Sequence, residues 1–252
     1  SGMVYIRLLV RRKLATVRKL VQPPKMKALL PILKGGISML SRQAAINIAI
    51  ISAARRAQVM DPSGISAAAF GIVNQLYSVG IVVHIAIQGT AAALIPATRA
   101  KEGDDKAVEI GDRIFSWSMI VGLVLAALQL LALPFLVPMF SPIPEVQQAV
   151  KTPGMIAALL HILNGPVFAG EGAMLGMSQF RDLAVITAAS TAALVGMLRL
   201  PFAQKSIGAI FAIEVIFTLI QGVGVAWHYL KLGPLARGRR SKESKAPANG
   251  NA

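Results

Sequence analysis

Six long apolar stretches constrain this chain more than any other feature, because each is long enough, or nearly so, to cross a bilayer. They cover roughly residues 28–53, 65–97, 114–139, 152–170, 183–198 and 206–230. Crossing the hydrocarbon takes roughly 20 mostly apolar residues. The second and third stretches contain no Lys, Arg, Asp or Glu; the fifth is short by itself and borrows flanking residues. Spanning strands would show alternating segments of about 10 residues rather than continuous runs. The expected fold class is therefore an all-α membrane protein, a six-transmembrane-helix bundle. Charged residues supply only 15% of the chain, whereas soluble domains carry about 25%.

A net charge of +15 could point to nucleic acid, but its placement points to membrane orientation. With an even number of spans both termini share one side. The terminal segments and the loops on their side hold nineteen Lys/Arg, and the opposite loops hold five (Arg55, Arg56, Lys151, Arg199 and Lys205). Positive-inside bias then puts both termini in the cytoplasm, or facing the stroma or matrix of an organelle. The excess basic charge reads as orientation and contact with anionic lipid, so the bilayer is the expected partner and nucleic acid is not. The chain has no cysteine, which removes disulfides and thiolate metal sites from consideration.

Three regions are expected. Residues 1–26 read as a basic amphipathic connector helix, with apolar residues at 6, 9, 10, 14, 17 and 21 and Arg7, Arg11, Arg18 and Lys19 between them. Such a helix suits a membrane surface. Gln22-Pro23-Pro24 ends it. The absence of acid before Asp61 admits a transit peptide as the alternative. An opening Ser-Gly in place of an initiator methionine is what a fragment or processed product would show. Residues 27–231 form the six-helix lobe, and residues 232–252 a disordered basic tail. Asp61-Pro62-Ser63-Gly64 and Ser141-Pro142-Ile143-Pro144-Glu145 are outer turns, and residues 100–106 a polar cytoplasmic connection.

Ionisable groups at membrane depth are costly, so each one is a candidate for function. Lys34, near the cytoplasmic end of the first span, can snorkel; Arg42, eight residues further in, is expected to face a cavity or pair with an acid. His84 and His161, about midway along the second and fourth spans, can serve as interhelical hydrogen-bond partners or as proton carriers. Glu171 is expected to end the fourth span within reach of water, mattering to conformational cycling more than to folding. Glu214, about nine residues into the last span, either lines a hydrated pathway or pairs with Arg42 or a histidine. Gln75, with Asn74, Tyr77 and Gln88, adds uncharged polar groups to the second span. Asn164-Gly165-Pro166 suggests a helix irregularity, since proline removes a backbone donor, and such breaks often mark transporter sites. Gly172 and Gly176, four apart, would let another helix approach closely. Neither a Gly-x-Ser-Gly nucleophile within a span nor a His-Glu-x-x-His metal motif is present. No catalytic residue, no metal site and no cofactor is therefore expected, and the chain does not read as an enzyme.

Three blocks resemble the multidrug and toxic compound extrusion (MATE) transporters, particularly the branch of plant organic-acid exporters and bacterial damage-inducible members. Leu33-Lys34-Gly35-Gly36 with Arg42 and Ala53-Ala54-Arg55 is similar to that branch's seventh span. The run from Ala68-Ala69-Phe70-Gly71 to Asn74-Gln75-Leu76-Tyr77 is similar to the eighth, with Gly71 replacing its first glutamine. Asn164, Phe168, Glu171-Gly172, Gly176 and Phe180 match the tenth-span pattern, Glu171 standing where aspartate is usual. The resemblance implies the C-terminal lobe of a twelve-span protein of two six-helix lobes, with the N-terminal lobe as the missing partner. It implies antiport efflux of a small organic substrate (organic cations, drugs or organic acids) by alternating access, coupled to protons or sodium. Two departures bear on coupling: the His84-Ile85 region stands where the eighth span usually has aspartate, and Asn164 lies near another branch's cation-binding aspartate. Protons are the expected coupling ion, because one carboxylate among neutral amides makes a poor cation cage. A relative of the lipid-linked-sugar flippases and a non-transporting membrane subunit are the alternatives. The expected site is a water-accessible cavity lined by Glu214 with some of Arg42, Gln75, His84 and Asn164.

Overall fold

A computed structural model describes residues 26–236. The connector helix expected over residues 1–26, and the tail beyond Ala236, lie outside the described residues, Met26 excepted. Six long helices account for nearly all of the rest: α1 (Met26–Gln58), α2 (Ile65–Glu102), α3 (Asp104–Phe140), α4 (Pro144–Gly176), α5 (Phe180–Met197) and α6 (Ile207–Trp227). A 3₁₀ turn (Pro201–Gln204) precedes α6, and a π-helical turn (His228–Leu232) closes it, with the Gly233 amide donating to the His228 carbonyl at 2.6 Å. The chain divides inside α1 into two units, residues 1–37 and residues 38–252. Within the first, the described part is the helical start of α1; everything that follows concerns the second.

All six helices are long and apolar enough to cross a membrane. Their outward faces carry large apolar side chains such as Val79, Val82, Leu128, Leu131 and Phe135, which a water-soluble bundle would turn inward. The chain is an integral, multi-pass membrane protein. Since lipid tails are as apolar as leucine, such helices associate through close packing rather than through exclusion of water. The sequence supplies that packing on α4, the central helix, which lies against α2, α3, α5 and α6. Well over half of its most apolar stretch is buried, against a third or less for each other helix.

Glycines set how near the neighbours come. Gly165 of α4 meets the Ser118 carbonyl of α3, and Gly122 of α3 meets the His161 carbonyl in return. Gly172 and Gly176 lie against the backbone of Gln88 and Ala92 on α2, a four-residue spacing matched by a four-residue spacing. α4 stays helical from Pro144 to Gly176, straight through Pro166. The break expected at Asn164-Gly165-Pro166 does not occur, and Gly165 there seats α3.

Helix ends differ from the hydropathy limits in the same physical sense. The polar connection expected over 100–106 is a one-residue break at Gly103, whose φ of 88° favours glycine. Helix continues on both sides of it, joined by Arg99 Nε donating to Asp104 Oδ1 at 2.6 Å. At the other end of the chain, the expected tail begins as packed structure. Leu235 and Ala236 are buried, Leu235 in a cluster with Ile95, Ala107 and Tyr229.

Candidate functional site

A cavity of about 240 Å³ opens among α1, α2, α4, α5 and α6. Each helix except α5 contributes one stripe at helical spacing, as a single face must. α1 gives Arg42, Ile46, Ala49 and Ile50; α2 gives Asn74, Tyr77, Ser78 and Ile81. α4 gives Asn164, Phe168 and Glu171; α6 gives Glu214, Phe217, Thr218 and Gln221; Leu194 completes the wall from α5. The 38–58 part of α1 reaches this position on a run of small residues. Ala45, Ala49, Ala53 and Ala57 are all buried, and Thr191 of α5 donates to the Ala45 carbonyl at 3.2 Å.

Two charges meet at one wall. Arg42 Nη2 lies 2.6 Å from Glu171 Oε2, with side chains 11% and 3% exposed. Gln88 Nε2 donates to the same oxygen at 2.7 Å. Arg42 both faces the cavity and pairs with an acid, as expected, and that acid is Glu171 rather than Glu214. One expectation is corrected: Glu171 does not end its helix, since α4 runs on to Gly176 and buries it. Removing either member of a buried pair strands the other in a medium that solvates it poorly, so Arg42 and Glu171 hold α1 and α4 together. Arg42 Nε has no partner among the described residues.

Glu214 faces the cavity without a hydrogen bond or ion pair to any described residue. Across the same space, Asn164 Nδ2 donates to the Tyr77 hydroxyl at 2.5 Å. The cavity thus offers one free carboxylate, one internally neutralised ion pair, amides and hydroxyls, and three aromatic rings.

Of the residues expected here, Arg42, Asn164, Glu171 and Glu214 come together, and Gln75 and His84 do not. Gln75 is exposed on the outside of α2; Asn74, one residue back, lines the cavity with Tyr77 and Ser78. A helix turns about 100° per residue, so neighbours in sequence face apart. His84 is fully buried behind the wall. Its Nε2 lies 3.2 Å from His161 Nδ1, and His161 Nε2 lies 2.9 Å from Gln129 Oε1 on α3. Gln129 escaped the sequence reading, although an uncharged amide inside an otherwise apolar span was its available signal. Thr218 and Gln221 were missed as well, and their i+4 and i+7 spacing from Glu214 could have found them. Gly172 and Gly176 lie on the face of α4 packed against α2, and Pro166 is half-buried beside Gly165.

No protein-family model and no curated protein matches the chain. Among solved structures it is similar to a MOP-superfamily transporter from Pyrococcus furiosus, described as having a binding pocket of reverse polarity that suggests a different function. The TM-score is 0.72 at 11% identity, over 84% of this chain and 48% of that one. The same figures hold for a multidrug resistance MATE family transporter of the MOP superfamily in an outward-facing conformation. The chain therefore spans about half the length of the solved transporters it matches. Identity this low speaks of fold and singles out no branch of the family. In fold, the chain is a six-helix lobe matching about half of a MOP-superfamily transporter.

Proposed function

We propose that this chain is one lobe of a secondary active transporter that exports small organic cations by proton-coupled antiport, working with a second six-helix lobe. The observation that carries the reading is the cavity with Glu214 free on its wall, inside a fold shared with transporters. A carboxylate without a cation partner, facing a hydrated space at membrane depth, can hold a proton or a cationic substrate but not both. Exchange between them biases two conformations only through differential affinity for those states. Tyr77, Phe168 and Phe217 offer aromatic faces suited to a desolvated organic cation.

The balance of charge supports a cation over an organic acid. Arg42 is neutralised by Glu171, which leaves Glu214 as the net charge of the wall. The flippase reading would want free positive charge around the cavity, and among the cavity-lining residues Arg42 is the sole cation. Protons are preferred to sodium because Glu214 with nearby amides supplies a single anionic oxygen donor group. The nineteen-to-five distribution of basic residues supports a cytoplasmic position for both termini. Single cysteines introduced at 57–63 or 141–143 should then label from outside only.

Everted vesicles carrying the protein, with an acid interior, should accumulate ethidium, and Glu214→Gln should abolish the response to the pH gradient. Uptake of citrate in place of ethidium would turn the substrate assignment to organic acids. No uptake of either under proton or sodium gradients, with the second lobe present in the same vesicles, would leave the non-transporting subunit as the better reading.

A further inference from the structure

A second polar group lies behind the cavity wall, with no part in the exchange at Glu214. His84 and His161 are 0% and 1% exposed and face one another across α2 and α4. Gly80, one turn before His84 on α2, makes the slot that admits the second ring. A Cβ there would stand 2.6 Å from His161 Nε2 and closer still to its Cε1. Tyr77 stacks on His161 at a centroid distance of 4.9 Å, and Phe168 lies 5.6 Å from His84. Both aromatic rings also line the cavity, so they form the partition between it and the histidines.

The hydrogen-bond chain has a definite polarity. Gln129 Oε1 can only accept, so His161 Nε2 carries a hydrogen. In a neutral pair His161 Nδ1 then accepts from His84 Nε2–H, and the chain ends at a bare lone pair on His84 Nδ1. That atom is buried and has no partner, as is the Gln129 amide nitrogen. Turning the amide over reverses every bond and ends the chain on an N–H at the same place. One basic nitrogen is left open at the end of the chain in the first arrangement. Uptake of one proton there takes the pair from zero to one positive charge, shared along the Nε2···Nδ1 contact.

We propose that His84 and His161 together form a proton-binding site of this lobe, separate from the cavity carboxylates and walled off from them by Tyr77 and Phe168. The titratable and charged groups around it are few. α2 presents Tyr77; α4 presents Glu171, ten residues beyond His161 and paired with Arg42 of α1; α6 presents Glu214 across the cavity. α3 faces the pair with Gln129 alone, its charged residues lying between Asp104 and Arg113 at the far end of the helix. A role for this site in coupling rests on the transporter reading above, whereas its occupancy by a proton does not.

The chain has three histidines, so ¹⁵N-histidine NMR of the protein in bilayers can follow each one, with His228 assigned through His228→Gln. As pH is lowered from about 8 to about 3, through and beyond the usual histidine range, the His84 and His161 signals should move together through one step. In His161→Gln, where the new amide can still bond Gln129, the His84 midpoint should move by about one pH unit, a tenfold change in proton affinity. Signals that keep neutral tautomers throughout would make the pair a structural pin and overturn the proposal. So would an unchanged His84 midpoint in His161→Gln. A protein that titrates as expected yet moves no substrate when its second lobe is present would sink the transporter reading and leave the site standing.

Discussion

Replacing Glu171 with glutamine keeps the size of the side chain and both of its neighbours while deleting its charge. The Glu171 carboxylate accepts from Arg42 at 2.6 Å and from Gln88 at 2.7 Å, and an amide oxygen in its place can still accept both. What is lost is the counter-ion of a guanidinium whose side chain is 11% exposed. Breaking a buried pair costs about 3–5 kcal/mol. Arg42 is 11% exposed and lines the cavity, which puts Glu171→Gln near the lower end, about 3 kcal/mol. Arg42→Gln strands a carboxylate that is 3% exposed and should cost at least as much. The double variant removes both charges and should cost no more than the worse single, a non-additivity of about 3 kcal/mol. Reversible unfolding in mixed micelles, followed by ellipticity, measures all three. Additive costs, or a Glu171→Gln within about 0.5 kcal/mol of the parent, a change typical of surface sites, would show that the pair is hydrated and that α1 is held by its alanine face instead.

Gly172→Ala drives a Cβ into the Gln88 carbonyl and should destabilise by about 1–3 kcal/mol in the same assay; Gly71→Ala, which meets nothing within 4 Å, is the control and should be neutral or better. Ser178 has a φ of 58° in the turn between α4 and α5; Ser178→Gly should stabilise by about 1 kcal/mol, and a loss would mean that the hydroxyl matters more than the backbone. Asp61, in the turn before α2, accepts from Ser63 Oγ and from the Ser66 amide, which holds its carboxyl below the usual aspartate range. A group depressed on folding supports the turn above its unfolded value and withdraws that support as pH falls through the folded one. Its ¹³C carboxyl titration should therefore have a midpoint below that of free aspartate, and a midpoint at or above it would refute the turn geometry.

The six helices were legible because hydropathy measures the slab that each must cross, and that slab is a property of solvent rather than of neighbours. Helix ends were not legible in the same way. α2 runs on to Glu102 and α3 starts at Asp104, since a helix that leaves the hydrocarbon has no reason to stop until something like Gly103 turns it. Glu171 was misplaced for a related reason: Gly172, Gly176 and the polar residues after them look like the end of a span. Their function is contact with α2, and only the register of Gln88 and Ala92 reveals it. Partner choice is likewise tertiary. Arg42 had Glu171, Glu214 and the histidines as possible mates, and nothing in sequence spacing separates residues so far apart along the chain. Asn74 and Gln75 differ in a way that was within reach. Taking Tyr77 as the inward residue, three positions back lands on Asn74 and turns Gln75 outward. Reading phase from an aromatic already assigned to the interior would have placed the amide correctly, and steps of four and seven from Glu214 reach Thr218 and Gln221.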